Sequence, residues 1–214
     1  MNINVYKIFL EGILIFMKVY MLQHSYEYEI YEGIKETNAK FIGIYSSRQN
    51  AEEAKERFKD KKGFNRFPEA CFLISEHILD ENHWFDGFIS LKKEKGRKKY
   101  DIPKKIGKEK KLNEKYNKVA VKGVLKDKVV YYLEHSYEYE ISDLHIKIDS
   151  IKFIGIYSSK VKAEEIRDQI KIKFGFNKFS EDCFCIDKYY LDKDYKGWTE
   201  GFITWDGETD SWIE

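Results

Sequence analysis

A histidine followed by glutamates three and five residues later is the first combination in this chain that could do chemistry. It occurs twice, within the identical stretches 24–30 and 135–141. Histidine can act as a general base or bind a metal through a ring nitrogen. In an extended strand, however, His24 would point away from Glu27 and Glu29, because successive side chains alternate between the two faces. The alternative is a structural histidine on an aromatic face, hydrogen-bonded to a tyrosine or a backbone carbonyl.

Cysteine offers a second chemistry, because a thiol within reach of His24 could act as a nucleophile. Cys71 and Cys183 occupy equivalent positions in the two copies, and Cys185 is the third cysteine. The residues around Cys71 form neither a nucleophile elbow nor a glycine-lined turn, and a cysteine that opens an apolar strand is usually a small core residue. Zinc-type spacings, phosphate-binding glycine loops, GxSxG and HExxH are all missing from the sequence. The balance favours a non-catalytic protein without a metal or a cofactor, and a His/Glu- or Cys-dependent hydrolase is kept as an alternative.

Two pairs of glutamates suit binding better than catalysis. Glu27 and Glu29 share one strand face, and Glu138 and Glu140 share the equivalent face of the second copy. Side chains two residues apart on a strand are separated by about 7 Å. Such a pair could bind a cation. A more economical use is the docking of a basic protein, because an acidic surface steers a basic partner toward it.

Each copy ends with a tryptophan close to an acidic residue and a Gly-Phe pair. Trp84 precedes Asp-Gly-Phe at 86–88, and Trp198 precedes Glu-Gly-Phe at 200–202. Tryptophan beside a carboxylate is a frequent interface anchor. A core tryptophan near a tight turn is the alternative, and both interpretations stay open.

The elements that would position these residues come from an internal duplication. Residues 41–47 return letter for letter as 153–159, like the two histidine stretches. Alternation, helical spacing and glycine positions give each copy the order β-β-α-β-β. This order predicts an α+β fold in which a mainly antiparallel sheet carries one helix. We expect the two copies to pack together as lobes related by an approximate two-fold axis.

The first copy illustrates the expected element boundaries. Alternation along its first strand puts His24 and Tyr26 on an aromatic face. The predicted elements are strands at 18–30, 41–45 and 71–78, a turn at 31–40, a helix from Ser46 or Ser47 to about Lys61, and a fourth strand around Trp84.

The duplication divides the chain into four parts. They are an extension (1–16), repeat 1 (17–91), a linker (92–127) and repeat 2 (128–214). The formal net charge is +1, but the stretch from Leu91 to Lys128 has sixteen lysines and arginines against five acidic residues. The linker is therefore basic and the repeats are acidic. We interpret the linker as a solvated tether or as a basic segment that engages an anionic partner such as nucleic acid.

Composition predicts a soluble, cytoplasmic protein. The apolar segment from Ile8 to Met17 contains Glu11, which makes it too short and too interrupted to span a membrane. No small-residue cleavage site follows it, so it is also a poor signal peptide. Three cysteines without a pairing framework fit reduced thiols in the cytoplasm.

Both copies contain the same succession of short strings: HSYE, FIGIYSS, an alanine–glutamate helix (AEEA in the first copy), Gly-Phe, Cys-Phe, Leu-Asp, Trp and a second Gly-Phe. This succession resembles a family of short bacterial proteins of no established function, here in tandem duplicate. The resemblance implies that a single copy often forms the whole protein, and it implies no catalytic or binding residue. It covers both repeats and excludes the linker and the first sixteen residues. In its general type the protein is similar to small immunity or regulatory proteins of bacterial conflict systems.

These features predict a non-catalytic binding protein whose partner is another protein with a basic surface, such as a toxin or an effector. The alternative is a small-ligand or nucleotide binder, with one site per lobe or a site at the seam between lobes. Nucleic-acid binding through Lys92–Lys118 is a further alternative, and no membrane partner is expected. The candidate binding residues are His24, Tyr26, Glu27, Glu29, Trp84, His135, Tyr137, Glu138, Glu140 and Trp198.

Overall fold

The computed structural model describes residues 9–10, 13–84, 87–88, 91–94, 97–100, 118–120, 128–141, 144–206 and 211–213, with side chains within 17–84, 87–88, 128–141 and 144–203. The strands are β1 (Phe9–Leu10), β2 (Ile13–Phe16), β3 (Lys18–Tyr31), β4 (Ile34–Tyr45), β5 (Phe72–Ile78), β6 (Leu91–Glu94), β7 (Arg97–Tyr100), β8 (Lys118–Ala120), β9 (Val129–Ile141), β10 (Ile146–Tyr157), β11 (Phe184–Tyr190), β12 (Lys193–Asp194), β13 (Thr204–Asp206) and β14 (Ser211–Ile213). The helices are α1 (Arg48–Phe58) and α2 (Lys160–Ile170), with short 3-10 helices at Phe64–Arg66, Glu69–Cys71, Phe176–Lys178, Glu181–Cys183 and Lys196–Trp198.

β3 and β4 form a long antiparallel hairpin in repeat 1. Pairing runs from Tyr20 opposite Tyr45 to Tyr31 opposite Ile34. β4 already begins at Ile34, so the predicted turn at 31–40 is mostly strand. Lys35 of β4 contacts Glu27 of β3, and the hydroxyl of Tyr28 donates a hydrogen bond to Glu36, so both contacts join the two strands of the hairpin. Such cross-strand pairs stabilise a polar sequence in the extended conformation.

β5 lies on the other side of β3 and covers only part of it. The antiparallel pairing runs from Lys18 opposite Ile78 to His24 opposite Phe72. Beyond His24, β3 and β4 continue without a third strand in the part of the chain that the structure describes. The sheet of repeat 1 therefore narrows to a two-stranded ribbon at one end.

The helix α1 packs on this sheet as its spacing predicts. Ser47 is its N-cap and accepts a hydrogen bond from the backbone N–H three residues later. Ala51, Ala54 and Phe58 form a buried stripe with the predicted i, i+3, i+7 spacing. The helix ends at Phe58, earlier than the predicted end near Lys61.

Repeat 2 builds the same pair of layers. β9 and β10 pair from Tyr131 opposite Tyr157 to Ile141 opposite Ile146, and β11 lies on the other side of β9. Ser159 caps α2 in the same way. The prediction of an α+β fold with an antiparallel sheet and one helix per copy is confirmed.

Each of the two compact units of the fold combines parts of both repeats. One unit joins 1–17 and 79–125 to 130–188, and the other joins 18–78 to 126–129 and 189–214. The sheet and helix of each repeat are thus packed with the closing segment of the other repeat. We call these closing segments, 79–88 and 191–202, the anchor segments.

The anchor segment of repeat 2 supplies the short fourth strand of the first sheet. β12 pairs antiparallel with β4, placing Lys193 opposite Ile44 and Asp194 opposite Gly43. The anchor segment of repeat 1 hydrogen-bonds β10 at the equivalent places. The closing segment of each copy therefore lies along the sheet of the other copy. The fourth strand predicted around Trp84 is not found, because Trp84, Gly87 and Phe88 lie outside any strand and Trp198 ends a 3-10 helix.

The extension and the linker contain further strands. β1 pairs antiparallel with β2, and β2 pairs with β8 in parallel. β6 and β7 form a hairpin within the linker, and β13 and β14 form one at the end of repeat 2. Most of the basic stretch Lys92–Lys118, including 101–117, lies outside the described residues. No helix in the described ranges is long and apolar enough to cross a membrane.

Candidate functional site

His24 lies inside a cluster of aromatic rings and is 0% exposed. Its ring makes edge contacts with Phe64, Phe67 and Phe72 at centroid distances of 5.1, 5.3 and 4.9 Å. Neither ring nitrogen has a hydrogen-bond partner among the described residues. His24 therefore packs as one more ring in a filled core, without the tyrosine or carbonyl bond that the sequence suggested.

The surroundings of His24 keep it neutral. Burial, and to a smaller extent the positive charge of Lys40, together lower its pKa to about 4. The imidazole is thus uncharged in the folded protein near neutral pH. An enclosed ring of this kind has no access to a substrate proton.

His135 repeats this arrangement in the other unit. It is 0% exposed and packs against Phe176 and Phe184 at centroid distances of 5.1 and 4.7 Å. Burial and the charge of Lys152 lower its pKa to about 4, while its own backbone opposes the shift. The duplication has therefore preserved a packing site.

A lysine lies over the ring cluster that contains His24. The Nζ atom of Lys40 lies 4.0 Å from the ring centroid of Phe202, 4.9 Å from that of Tyr26 and 5.9 Å from that of Trp198. It also donates a hydrogen bond to Asn38 at 2.6 Å. Burial lowers the pKa of Lys40 to about 8. The electron-rich ring faces offset part of the cost of burying this charge.

The second unit has the equivalent lysine. The Nζ atom of Lys152 lies 4.3 Å from the ring centroid of Phe88 and 4.6 Å from that of Tyr137. It donates a hydrogen bond to Ser150 at 2.8 Å. In both units the phenylalanine under the lysine comes from the anchor segment of the other repeat, so the lysine helps to hold that segment.

Asp192 of the second anchor segment binds the N-terminus of α1. Its carboxylate accepts hydrogen bonds from the backbone N–H of Ser46 at 2.9 Å and from the side-chain amide of Asn50 at 2.8 Å. Burial alone would raise the pKa of Asp192, but the hydrogen bonds outweigh burial and lower it. A carboxylate is also favoured at this end of the helix dipole.

Asp80 of the first anchor segment makes the equivalent contacts with α2. It accepts hydrogen bonds from the backbone N–H of Ser158 at 2.8 Å and from the ammonium group of Lys162 at 2.6 Å. Lys162 occupies the position that Asn50 occupies in repeat 1. The hydrogen bond between Asn50 and Asp192 in one unit therefore corresponds to the ion pair between Lys162 and Asp80 in the other.

The two tryptophans fix the anchor segments to the neighbouring strands. The indole N–H of Trp198 donates to the carbonyl of Phe41 at 2.8 Å, and that of Trp84 donates to the carbonyl of Phe153 at 2.6 Å. Both rings are partly buried against the hydrophobic core of their unit. Both tryptophans thus pack within the chain, at contacts between an anchor segment and the other repeat, and their use as anchors for a partner protein stays a prediction. Asp86 lies outside the described residues.

The ends of the two long hairpins form a different kind of surface. We define ribbon 1 as residues 25–39 and ribbon 2 as residues 136–151. In the described part of the chain, residues 25–39 pair only with one another, because β5 stops at His24. In repeat 2, β9 has 13 residues and its neighbour β11 has 7, so the hairpin extends similarly.

The ribbons are acidic and display tyrosines. Each ribbon has four carboxylates and one lysine in its sequence. Tyr28, Tyr31 and Tyr139 are 40%, 51% and 45% exposed. The lysines contact glutamates, Lys35 to Glu27 at 3.9 Å and Lys147 to Glu138 at 2.8 Å, in exposed pairs that contribute little to stability. Among the described residues of each ribbon the carboxylates outnumber the single lysine, so the surface is net negative and carries exposed tyrosines.

The candidate residues from the sequence thus fall into four environments. The histidines are in the core, and the tryptophans hold the anchor segments. Tyr26 and Tyr137 lie at the border between core and ribbon. The four glutamates, Glu27, Glu29, Glu138 and Glu140, are exposed on the ribbons.

Sequence reasoning overlooked Lys40 and Lys152. Their signal was a lysine one residue before an identical apolar stretch in both copies. A lysine at such a position is normally predicted to be exposed to solvent. The aromatic rings that cover it lie far away in the sequence, so the local pattern does not reveal them.

The described residues contain no cluster of three or more metal-binding side chains. Cys71, Cys183 and Cys185 are all free thiols and partly exposed. No hydrogen bond links Cys71 to the ring of His24, so the pair predicted for the hydrolase alternative does not form in this structure.

Comparison with protein-family models matches residues 17–88 and 128–202 to the domain of unknown function DUF7336. Each match ends at the phenylalanine of an anchor segment. No curated protein and no solved structure matches the chain.

Proposed function

We propose that this chain, which belongs to the DUF7336 family in both of its repeats, is a non-catalytic binding protein that presents two copies of one recognition surface. The surface is the acidic, tyrosine-bearing ribbon. Its partner is another protein with a basic surface.

The observation that carries this proposal is the exposure of the ribbons on strands that continue beyond the rest of the sheet. A two-stranded ribbon gains little stability from its own pairing, so a third strand or a partner would normally cover it. Exposed tyrosines supply apolar area with a polar end, a frequent composition of binding surfaces. The carboxylates beside them would steer a basic partner and raise its association rate.

We further propose that the protein acts in the bacterial cytoplasm. Three free thiols suit a reducing compartment. The resemblance to short bacterial proteins extends the proposal to an immunity or regulatory role, in which an acidic surface would neutralise a basic toxin or effector.

Capture experiments with charge-reversed variants test the proposal. Glu27→Lys with Glu138→Lys reverses one charge on each ribbon. The control is Glu53→Lys with Glu165→Lys, which makes the same charge change at exposed helix positions. We expect a lysate protein that binds wild type at low salt to bind the control and to lose at least about tenfold in affinity for the ribbon variant.

A photo-crosslinking amino acid identifies the contact directly. Placed at Tyr28, it should crosslink to the captured protein; at Leu73, which is 50% exposed on β5, it should not. Equal capture by both charge variants would contradict the proposal. So would a captured species that nuclease removes, which would indicate nucleic acid bound elsewhere.

A further inference from the structure

The anchor segments form a second binding system, separate from the ribbons. Each segment donates backbone hydrogen bonds to the edge strand of the other repeat's sheet, β4 or β10, and the segment of repeat 2 also adds the short strand β12. The N–H of Asp192 donates to the carbonyl of Ile44 at 3.0 Å, and the N–H of Asp80 donates to that of Ile156 at 2.8 Å. Addition of a strand to an open sheet edge is a general way for one chain to capture a segment of another.

The end of each segment is held by close backbone contact. The N–H of Phe202 donates to the carbonyl of Lys62 at 3.0 Å, and the N–H of Phe88 donates to that of Phe174 at 2.9 Å. The preceding residue is glycine in both, with φ of +83° and +82°. A Cβ atom on either glycine would overlap the facing carbonyl oxygen. We call the surfaces that receive the anchor segments the acceptor surfaces; they are formed by β4, the N-terminus of α1 and Lys62 in repeat 1, and by β10, the N-terminus of α2 and Phe174 in repeat 2. Both surfaces bind a segment with the same chemistry: aspartate, tryptophan, then Gly-Phe.

These contacts do not distinguish an anchor segment of the same chain from that of another copy. Every hydrogen bond described above would form equally well with a segment supplied by a second molecule. Only the connection through the linker favours the intrachain partner, by an effective concentration of about a millimolar. Exchange of identical elements is a low-cost route to a dimer.

We propose that a second copy of this chain is a partner of both acceptor surfaces, and that two chains assemble by exchanging their anchor segments. In such a dimer each unit keeps its composition, with the sheet and helix from one chain and the anchor segment from the other. The proposal does not depend on the ribbons. Because the segments must leave their acceptors first, assembly is expected when chains refold together at high concentration.

The ion pair between Lys162 and Asp80 provides a direct readout. Its atoms are 2.6 Å apart, and the side chains are 30% and 18% exposed. A water-soluble carbodiimide joins an amine and a carboxylate only when they are in contact. Wild-type chains with natural and with heavy nitrogen are mixed in denaturant, refolded together from about 1 µM to about 1 mM, separated by size and crosslinked.

The proposal predicts a dimer whose fraction rises with refolding concentration. In that dimer about half of the Lys162–Asp80 crosslinks should join a light peptide to a heavy one, since the chains pair at random. The monomer should contain only crosslinks of uniform label. A dimer with uniformly labelled crosslinks alone would show association through another surface and overturn the proposal, as would absence of a dimer at every concentration.

Two variants serve as controls. Lys162→Arg keeps the ion pair and removes the reactive amine, so the dimer should persist without the crosslink. Glu27→Lys with Glu138→Lys should exchange segments like wild type. Failure of the ribbon proposal and failure of the exchange proposal are therefore separate outcomes.

Discussion

Two buried, neutral histidines make the stability of this protein depend on pH. His24 and His135 have a pKa of about 4 in the folded state, against 6.5 for the free side chain. Between these values the unfolded chain binds protons that the folded chain does not. The free energy of unfolding therefore falls as the pH drops from 6.5 toward 4. The full shift corresponds to about 3 kcal/mol for each histidine.

Replacing both histidines should remove most of this dependence. In His24→Phe with His135→Phe, phenylalanine occupies the same ring clusters without a titrating group, so the variant should lose less stability than wild type between pH 7 and pH 5. Urea unfolding at the two pH values measures the difference. Glu134, whose pKa is raised by burial, has the opposite effect in both proteins and leaves the comparison intact.

His145 is the matched control, because its side chain is 87% exposed. His145→Asn should keep the wild-type dependence. If the double variant also keeps it, the histidines do not titrate as the ring clusters require.

The surroundings of His24 could be predicted from the sequence only in part. Alternation correctly placed His24 and Tyr26 toward the apolar side of the first strand. The partner rings Trp198 and Phe202 could not be predicted, because they belong to the other repeat. Lys40 was overlooked for the same physical reason, since a buried lysine is tolerable only where such rings surround it.

At the scale of elements, the anchor segments depend on glycines that permit close backbone approach. Gly201 has φ +83°, and a side chain there would overlap the carbonyl oxygen of Lys62. Gly33 has a similar φ of +73° in the turn of ribbon 1, but nothing lies within 4 Å of an added Cβ. Comparing substitutions at Gly33 and Gly201 therefore separates the cost of a left-handed backbone from the cost of overlap with the Lys62 carbonyl.

Gly33→Ala should cost about 1 kcal/mol, the strain of a left-handed alanine. Gly201→Ala should cost about 2 to 4 kcal/mol, because overpacking against the backbone adds to that strain. Denaturant unfolding of both variants measures the difference. Equal losses would contradict the close packing of the anchor segment.

Elements were predictable to different degrees. The helix and its cap follow from local spacing, and both were found close to the predicted places. The second strand was predicted too short because residues 31–40 are polar and lack an apolar stripe. Their strand conformation depends on cross-strand pairs, which only the register of the hairpin reveals.

At the scale of the molecule, the sequence predicts two like copies but not how their parts are shared. Both acceptor surfaces have the same chemistry, so local pattern cannot decide which anchor segment each one binds. The structure assigns the segment of repeat 1 to repeat 2 and the reverse.

A pair of double-mutant cycles tests that assignment most directly. Lys162 contacts Asp80 of the other repeat, whereas Asp192 is the equivalent aspartate of its own repeat. Alanine substitutions, singly and together, give the coupling energy of each pair from denaturant unfolding. The exchanged arrangement predicts coupling of about 1 kcal/mol between Lys162 and Asp80, and none beyond about 0.4 kcal/mol between Lys162 and Asp192. Coupling of Lys162 to Asp192 instead of Asp80 would contradict it.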